Sequence, residues 1–276
     1  MLAHEFMRNA FLAGTFVALA CGLIGYFVVL RGQVFAGDAL SHVAFTGALA
    51  AAAAGIDIRL GLFAATVVVA VGIGGLGERA RPDDVVIGSV FAWVLGLGVL
   101  FLSLFVNGSS GSDGTAAVRV LFGSILGLSA ADARLAALIA VLASLALLAI
   151  ARPLLFSSLD PEVARGLGLP VRALGIAFFA LLAVVAAEAT QAVGALLLLG
   201  LLAAPGGAAR LLTDNPWRGL ALSAAIAVGS TWLGLFLSYE IDSLPAGTAV
   251  IGIATAAFAI AALSRVDVRA RLTIGG

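Results

Sequence analysis

The sequence of 276 residues has no lysine: all fifteen of its basic residues are arginine. Without lysine there can be no Walker A phosphate loop and no lysine-based covalent catalysis, so any work driven by ATP must be done by another polypeptide. Charge of either sign is scarce. Only 11% of residues are charged, against roughly a quarter in a soluble domain, which excludes a soluble enzyme and a nucleic-acid binder. A single cysteine, Cys21, lies in an apolar run, so no disulfide framework, CxxC pair or thiolate zinc cage is available. What fills the chain instead is apolar: 62% of residues, a mean hydropathy of +1.18, and 34 glycines. That is the composition of an integral membrane protein.

A bilayer core about 30 Å thick takes roughly 20 helical residues, so the lengths of the uncharged stretches are informative. Nine reach or approach that length: 9–30, 39–56, 60–77, 85–112, 135–151, 173–187, 189–209, 219–239 and 243–264. They are too long and too evenly apolar for barrel strands, and backbone groups in lipid must bond within their own segment. The expectation is therefore an all-α, polytopic transmembrane helical bundle of eight to nine spans, forming a single domain over 1–276, with the first run retained as a helix. The run 120–131 is too short to span and predicts a re-entrant or interfacial helix beside the Gly/Ser-rich loop 107–115. Arginine sets the orientation. With nine spans and the N-terminus outside, the cytoplasmic segments hold eleven arginines (31, 79, 81, 152, 165, 172, 210, 218, 265, 269 and 271) and the outer segments four (8, 59, 119 and 134).

Ionisable residues inside a membrane are costly and therefore informative. Asp38 and His42 stand four apart at the start of the second span, on one helix face with Cβ atoms about 5–6 Å apart. Ser41, Phe45 and Thr46 flank them. A carboxylate and a neutral imidazole suit Zn²⁺, Mn²⁺ or Fe²⁺ better than ions that prefer all-oxygen cages. The pair equally fits a purely structural use, with Asp38 as a helix-start carboxylate and His42 bonded to a neighbouring carbonyl. Because Arg31 is only seven residues before Asp38, a second span broken at Gly37 is one way to place the pair deeper. Glu188 interrupts the run 173–209 and reads as an interfacial carboxylate at the outer end of the sixth span. Pro205, followed by Gly206 and Gly207, predicts a kink or unwinding in the seventh. Thr46, Glu188 and Pro205 are candidate pore or gate positions. His4 and Glu5 read as a solvated terminus. An intramembrane enzyme finds little support, because HExxH and a nucleophile elbow are both absent.

The longest cytoplasmic loop, 153–171, contains Leu159-Asp160-Pro161-Glu162-Val163-Ala-Arg165-Gly166-Leu-Gly168. An N-cap aspartate, proline at the first helical position and glutamate in the first turn predict a short helix, stopped at Gly166 or Gly168, with Pro170 launching the next span. Its charges and its apolar Leu159, Val163 and Leu167 suit docking into a groove on another protein. A self-packed connection is the alternative.

Several stretches, taken in order, resemble the permease subunits of ATP-binding-cassette importers for zinc, manganese and iron, the ABC-3 family. They are Gly37-Asp-Ala-Leu-Ser-His42 after an arginine-bearing turn, residues 88–103, Leu121-Phe-Gly-Ser-Ile-Leu-Gly127, Asp160-Pro-Glu-Val-Ala-Arg-Gly-Leu-Gly168, and Val193-Gly-Ala-Leu-Leu with Pro205 downstream. The resemblance implies a bacterial inner-membrane permease that carries a divalent transition metal inward by alternating access, and is not itself an enzyme. It assigns metal passage to Asp38 and His42, and contact with the ATPase to the Asp160 segment. It further implies a permease homodimer, two cytoplasmic ATPase subunits and an extracytoplasmic metal-binding protein, with no permanently bound cofactor. Two departures stand out: Thr46-Gly47 where the family commonly has Pro-Gly, and Pro205-Gly-Gly-Ala-Ala209 where it has Pro-Ala-Ala-Thr-Ala. The rival reading is an ion-gradient-driven secondary transporter of a small solute, which would need coupling carboxylates near the midplane.

Overall fold

In lipid a chain this apolar can satisfy its backbone only by coiling. The computed structural model, which describes residues 4–76, 84–108, 123, 125–195, 198–241 and 243–274, is helical nearly throughout. Its described residues form ten α-helices and no strand: α1 Glu5–Leu30, α2 Val34–Ala53, α3 Ile58–Leu76, α4 Asp84–Gly108, α5 Ala130–Leu159, α6 Pro161–Gly166, α7 Val171–Val193, α8 Leu198–Leu212, α9 Pro216–Glu240 and α10 Ala246–Ile274. Eight of them, all but α6 and α8, are long and apolar enough to cross a membrane. The expected all-α bundle is what forms.

Cross-helix contacts fix the direction of each pass. At one end, Arg31 of the α1–α2 turn meets Ser158 of α5, Arg172 of α7 donates to the Gly75 carbonyl of α3, and Arg265 of α10 reaches the Leu211 carbonyl and Asp214. At the other end, Asn9 bonds the Leu128 carbonyl, Arg59 of α3 bonds Asp132 of α5, and Ser238 of α9 bonds the Leu244 carbonyl. Helices therefore alternate between an arginine-rich end and an opposite end that carries the N-terminus.

The division of the run 173–209 differs from the sequence expectation. Helix α7 continues through Glu188 to Val193 and is capped at Gly194, and the 15-residue α8 begins at Leu198. At 1.5 Å per residue α8 is about 22 Å long, shorter than the eight helices of membrane-crossing length. Pro205 sits inside α8 without ending it, and the two glycines after it serve close packing rather than unwinding. The second span is likewise unbroken, because α2 runs straight through Gly37. Of the run 120–131, the described part is a 3₁₀ turn at Ile125–Gly127 and the start of α5 at Ala130, with Ile125 buried. Most of the Gly/Ser-rich loop 107–115 and the motif residues 121, 122 and 124 lie outside the described residues. Finally, the first seven residues of the loop 153–171 extend α5, with Pro153 inside that helix.

Helix α1 runs through the middle, with every residue from Ala20 to Val28 buried. Lipid supplies no hydrophobic drive between helices, so association depends on close approach through small residues. Gly25 of α1 and Gly206 of α8 show this at its tightest. A methyl group added at Gly206 would lie 2.7 Å from the Gly25 carbonyl oxygen, and one at Gly25 would fall on the Leu202 carbonyl. Beside them, Ser223 of α9 donates to the Gly22 carbonyl across 2.6 Å. Replacing Ser223 by alanine is expected to cost only about 0.6 kcal/mol, seen as a small drop in the thermal unfolding midpoint in detergent.

Candidate functional site

Helix α2 is wedged between α3, α4 and α7, and most of its residues are buried. Asp38 and His42 are the ionisable pair on its partly open face, each half-buried. Helix α4 supplies a frame: the Phe91 ring lies 5.2 Å from the His42 ring in an edge-on arrangement and 5.7 Å from Phe35, itself 38% exposed. Phe35 and His42 are seven residues, two helical turns, apart, so Asp38 lies between them on the α2 face that Phe91 meets. Among the described residues neither the Asp38 carboxylate nor the His42 imidazole has a hydrogen-bond or ion-pair partner. Both keep their lone pairs available. Ser41 does not join them, because it is fully buried and donates to the Asp38 backbone carbonyl at 2.7 Å.

Among the described residues no three His, Cys, Asp or Glu side chains come together as a metal cluster. Asp38 and His42 by themselves are two donor side chains, fewer than the four or more that a transition-metal ion takes. Thr46, one turn beyond His42, is 7% exposed and donates to the Val94 carbonyl of α4 at 3.2 Å. Where the family commonly has proline, this chain has a hydroxyl that ties α2 to α4. The next residue, Gly47, crosses Gly61 of α3 backbone to backbone. Pro205 is buried in α8.

Glu188 lies near the end of α7 opposite α6, as expected, but it is not wetted there. It is 3% exposed inside the bundle, where an interfacial carboxylate would be wetted, and Arg59 neutralises it across 3.0 Å. That partner is 129 positions away along the chain, beyond the reach of any local pattern. Arg31 was also missed. It was counted only as a cytoplasmic charge, yet it is buried, with Nε donating to Gln33 at 3.0 Å, Nη1 to Ser158 at 3.1 Å, and its guanidinium 5.1 Å from the centre of the Phe178 ring. Arg31 therefore pins the entry of α2 to the last turn of α5, immediately before α6.

At the same arginine-rich end α6 is built as the spacing predicted. The Asp160 carboxylate accepts from the Glu162 and Val163 backbone N–H groups at 3.1 and 3.0 Å, Pro161 fills the first helical position, and Gly168 turns the chain with φ of +80°. Ala164 anchors the helix against Leu169 and Val171, leaving Glu162, Val163, Arg165 and Gly166 outward. Leu159, Val163 and Leu167 are 63%, 49% and 68% exposed, an apolar patch at a polar end of the bundle. Replacing Asp160 by alanine orphans two N–H groups and is expected to cost about 1 kcal/mol, read as faster proteolysis between 160 and 168.

A bundle of membrane-length helices with a metal-competent pair on an inner helix and a capped, exposed helix at one end is of the transport-permease class. The model of the ABC 3 transport family matches residues 3–265, and the chain belongs to that family. The manganese transport system membrane protein MntC of Halalkalibacterium halodurans is 31% identical over 262 residues, covering 95% of this chain and 88% of that protein. The chelated iron transport system membrane protein YfeD of Yersinia pestis is 30% identical over 241 residues, covering 87% and 79%. Among solved structures, PsaBC from Streptococcus pneumoniae in complex with Fab superposes with a TM-score of 0.80 at 26% identity, covering 94% of this chain and 91% of that one.

Proposed function

We propose that this chain is the permease subunit of an ATP-binding-cassette importer that moves a divalent transition-metal ion into the cytoplasm by alternating access. The observation that carries the proposal is the incomplete ligand set on α2: Asp38 and His42, half-buried, unpartnered and framed by Phe35 and Phe91. Two copies of the chain meeting at this face would supply two carboxylates and two imidazoles, a full set for Mn²⁺, Fe²⁺ or Zn²⁺. A homodimer is therefore part of the reading. Such ligands can offset the ion's desolvation and still release it when the copies part.

By the positive-inside rule the arginine-rich end faces the cytoplasm, which puts α6 where a separate ATPase subunit would dock. Residues 159–168 would receive that motion, and the Arg31 link between the last turn of α5 and the entry of α2 gives it a short path to Asp38. An extracytoplasmic binding protein would deliver the ion at the opposite end, in the inner membrane of a bacterium. The names of the relatives favour manganese or iron over zinc. An ion-gradient-driven transporter is less well supported, because Glu188, the one other buried carboxylate among the described residues, is engaged by Arg59.

The test is the content of Mn, Fe and Zn in metal-starved cells carrying this chain with an active or an inactivated partner ATPase. Accumulation of one metal only with the active ATPase is expected. Accumulation that ignores the ATPase would hand the reading to secondary transport.

A further inference from the structure

Away from the metal pair, the central helix α1 is left open along one side. Helices α5 and α9 each pack along α1 but not along each other, and the recess between them has a volume of about 630 Å³. Its floor is α1 from Phe16 to Leu23, and its walls are Val141 to Leu148 of α5 and Ala221 to Val228 of α9. Helix α2 packs on α3, α4, α7 and α8 and not along α5 or α9. The groove is therefore separate from the Asp38 and His42 face.

The chemistry of the groove changes along its length. Ser144 is the one polar side chain in its lining, and its hydroxyl is spent on the Ala140 carbonyl at 2.7 Å, so a polar solute would find no partner there. Both walls end in a cation. Val141, Leu145, Leu148 and Arg152 follow one another on one face of α5, and Arg218, Ala221, Ala225 and Val228 do the same on α9. Because α5 runs toward the arginine-rich end and α9 runs away from it, Arg152 and Arg218 flank the same mouth of the groove. Both are exposed, and among the described residues neither guanidinium has a hydrogen-bond or ion-pair partner. The carboxylates nearest to them along the chain are used elsewhere: Asp160 caps α6, and Asp214 takes Arg265 at 3.4 Å.

We propose that this groove is a binding site for one anionic phospholipid from the leaflet at the arginine-rich end. An acyl chain lies on α1 between α5 and α9, and the phosphate is held by Arg152 and Arg218. Guanidinium forks match phosphate oxygens in pairs, and basic pockets between spans are suited to acidic head groups. Trp217, 47% exposed beside Arg218 and one turn from Ala221, stands where an indole meets the head-group layer. A zwitterionic head would bring an ammonium toward two guanidiniums, so an acidic head is selected. The site does not rest on the import reading.

The test is native mass spectrometry of the whole chain, released from detergent and titrated with palmitoyl-oleoyl phosphatidylglycerol or phosphatidylcholine. Wild type should retain one phosphatidylglycerol per chain, at least about tenfold more tightly than phosphatidylcholine. Replacing both Arg152 and Arg218 by glutamine should erase that preference. Ala225→Phe, which places a ring in the groove from an exposed position, should weaken both lipids at least about fivefold and keep the preference. Equal affinity for the two lipids in wild type overturns the site, as does a preference that survives the double substitution. So does a preference lost equally on replacing Arg8 and Arg134, at the opposite end, by glutamine. If Ala225→Phe fails to fold, the exposed arginine pair decides. A second copy of the chain is the competing occupant: disulfide-linked dimers of Leu145→Cys, 58% exposed, in a Cys21→Ala background in native membranes would give it the groove and overturn the lipid.

Discussion

Replacing Asp38 or His42 by alanine is expected to abolish metal accumulation while leaving the amount of folded permease unchanged. Each side chain is half-buried, and among the described residues neither holds a hydrogen bond or ion pair whose loss would unfold the bundle. In a homodimeric site each substitution would remove two of four ligands at once. Losing even an indirect supporter of a metal ligand commonly costs 10- to 100-fold in affinity, so losing two direct ligands should cut uptake by about 100-fold or more. The measurement is uptake of the accumulated metal at equal membrane expression, followed by the thermal midpoint in detergent. A variant that keeps more than about a tenth of wild-type uptake would show that the ion passes elsewhere. A conservative series sharpens the result: Asp38→Glu and His42→Cys retain donor atoms and should retain partial uptake.

The second large effect falls on folding, far from any ionisable group. Gly25→Val should prevent α1 from seating against α8, because the added side chain would occupy the position of the Leu202 carbonyl. Flexible side chains can yield by a few tenths of an ångström, but here the obstacle is the backbone of α8, whose Gly206 also packs against Gly25. Overpacking of a well-filled interior costs about 1–3 kcal/mol even where side chains can adjust. A loss at or above the top of that range is expected, read as a fall of about 5–10 °C in the detergent midpoint and a sharp drop in membrane yield. Gly229→Val, on α9, is the control. A methyl group there meets nothing within 4 Å, so its yield should match wild type, and equal yields for the two variants would remove the backbone-contact explanation.

How much could be read in advance depended on the range of the interaction. The short helix α6 was legible at its start, and its end was narrowed to Gly166 or Gly168, since N-cap, first-turn proline and terminating glycine are all local. Asp38 and His42 were legible as a pair for the same reason, four residues on one helix being neighbours wherever that helix ends up. Glu188 was misread because burial is not local. A carboxylate between two apolar runs looks wetted until the Arg59 that neutralises it is found on another helix. The burial of Arg31 is not legible from its place among the cytoplasmic arginines, because Ser158 and Phe178 reach it only through the tertiary fold. Gly37 and Pro205 looked like breaks because each weakens an isolated helix. Packing overrides both: Gly37 gives room to Leu202, and Pro205 is buried within α8.

Composition alone determined that this chain is a membrane protein, that it is helical, and that it has no lysine for a Walker A loop. Those properties follow from transfer free energies and from the side chains a reaction requires, and they need no coordinates. The order of polar side chains along the chain added the Asp38–His42 pair and the capped helix, both held within a few residues. Tertiary structure decided the rest: where α7 ends and α8 begins, which charges are buried, and that α1 lies at the centre. These depend on which helices approach one another, and that is set by small residues and ion pairs far apart along the chain.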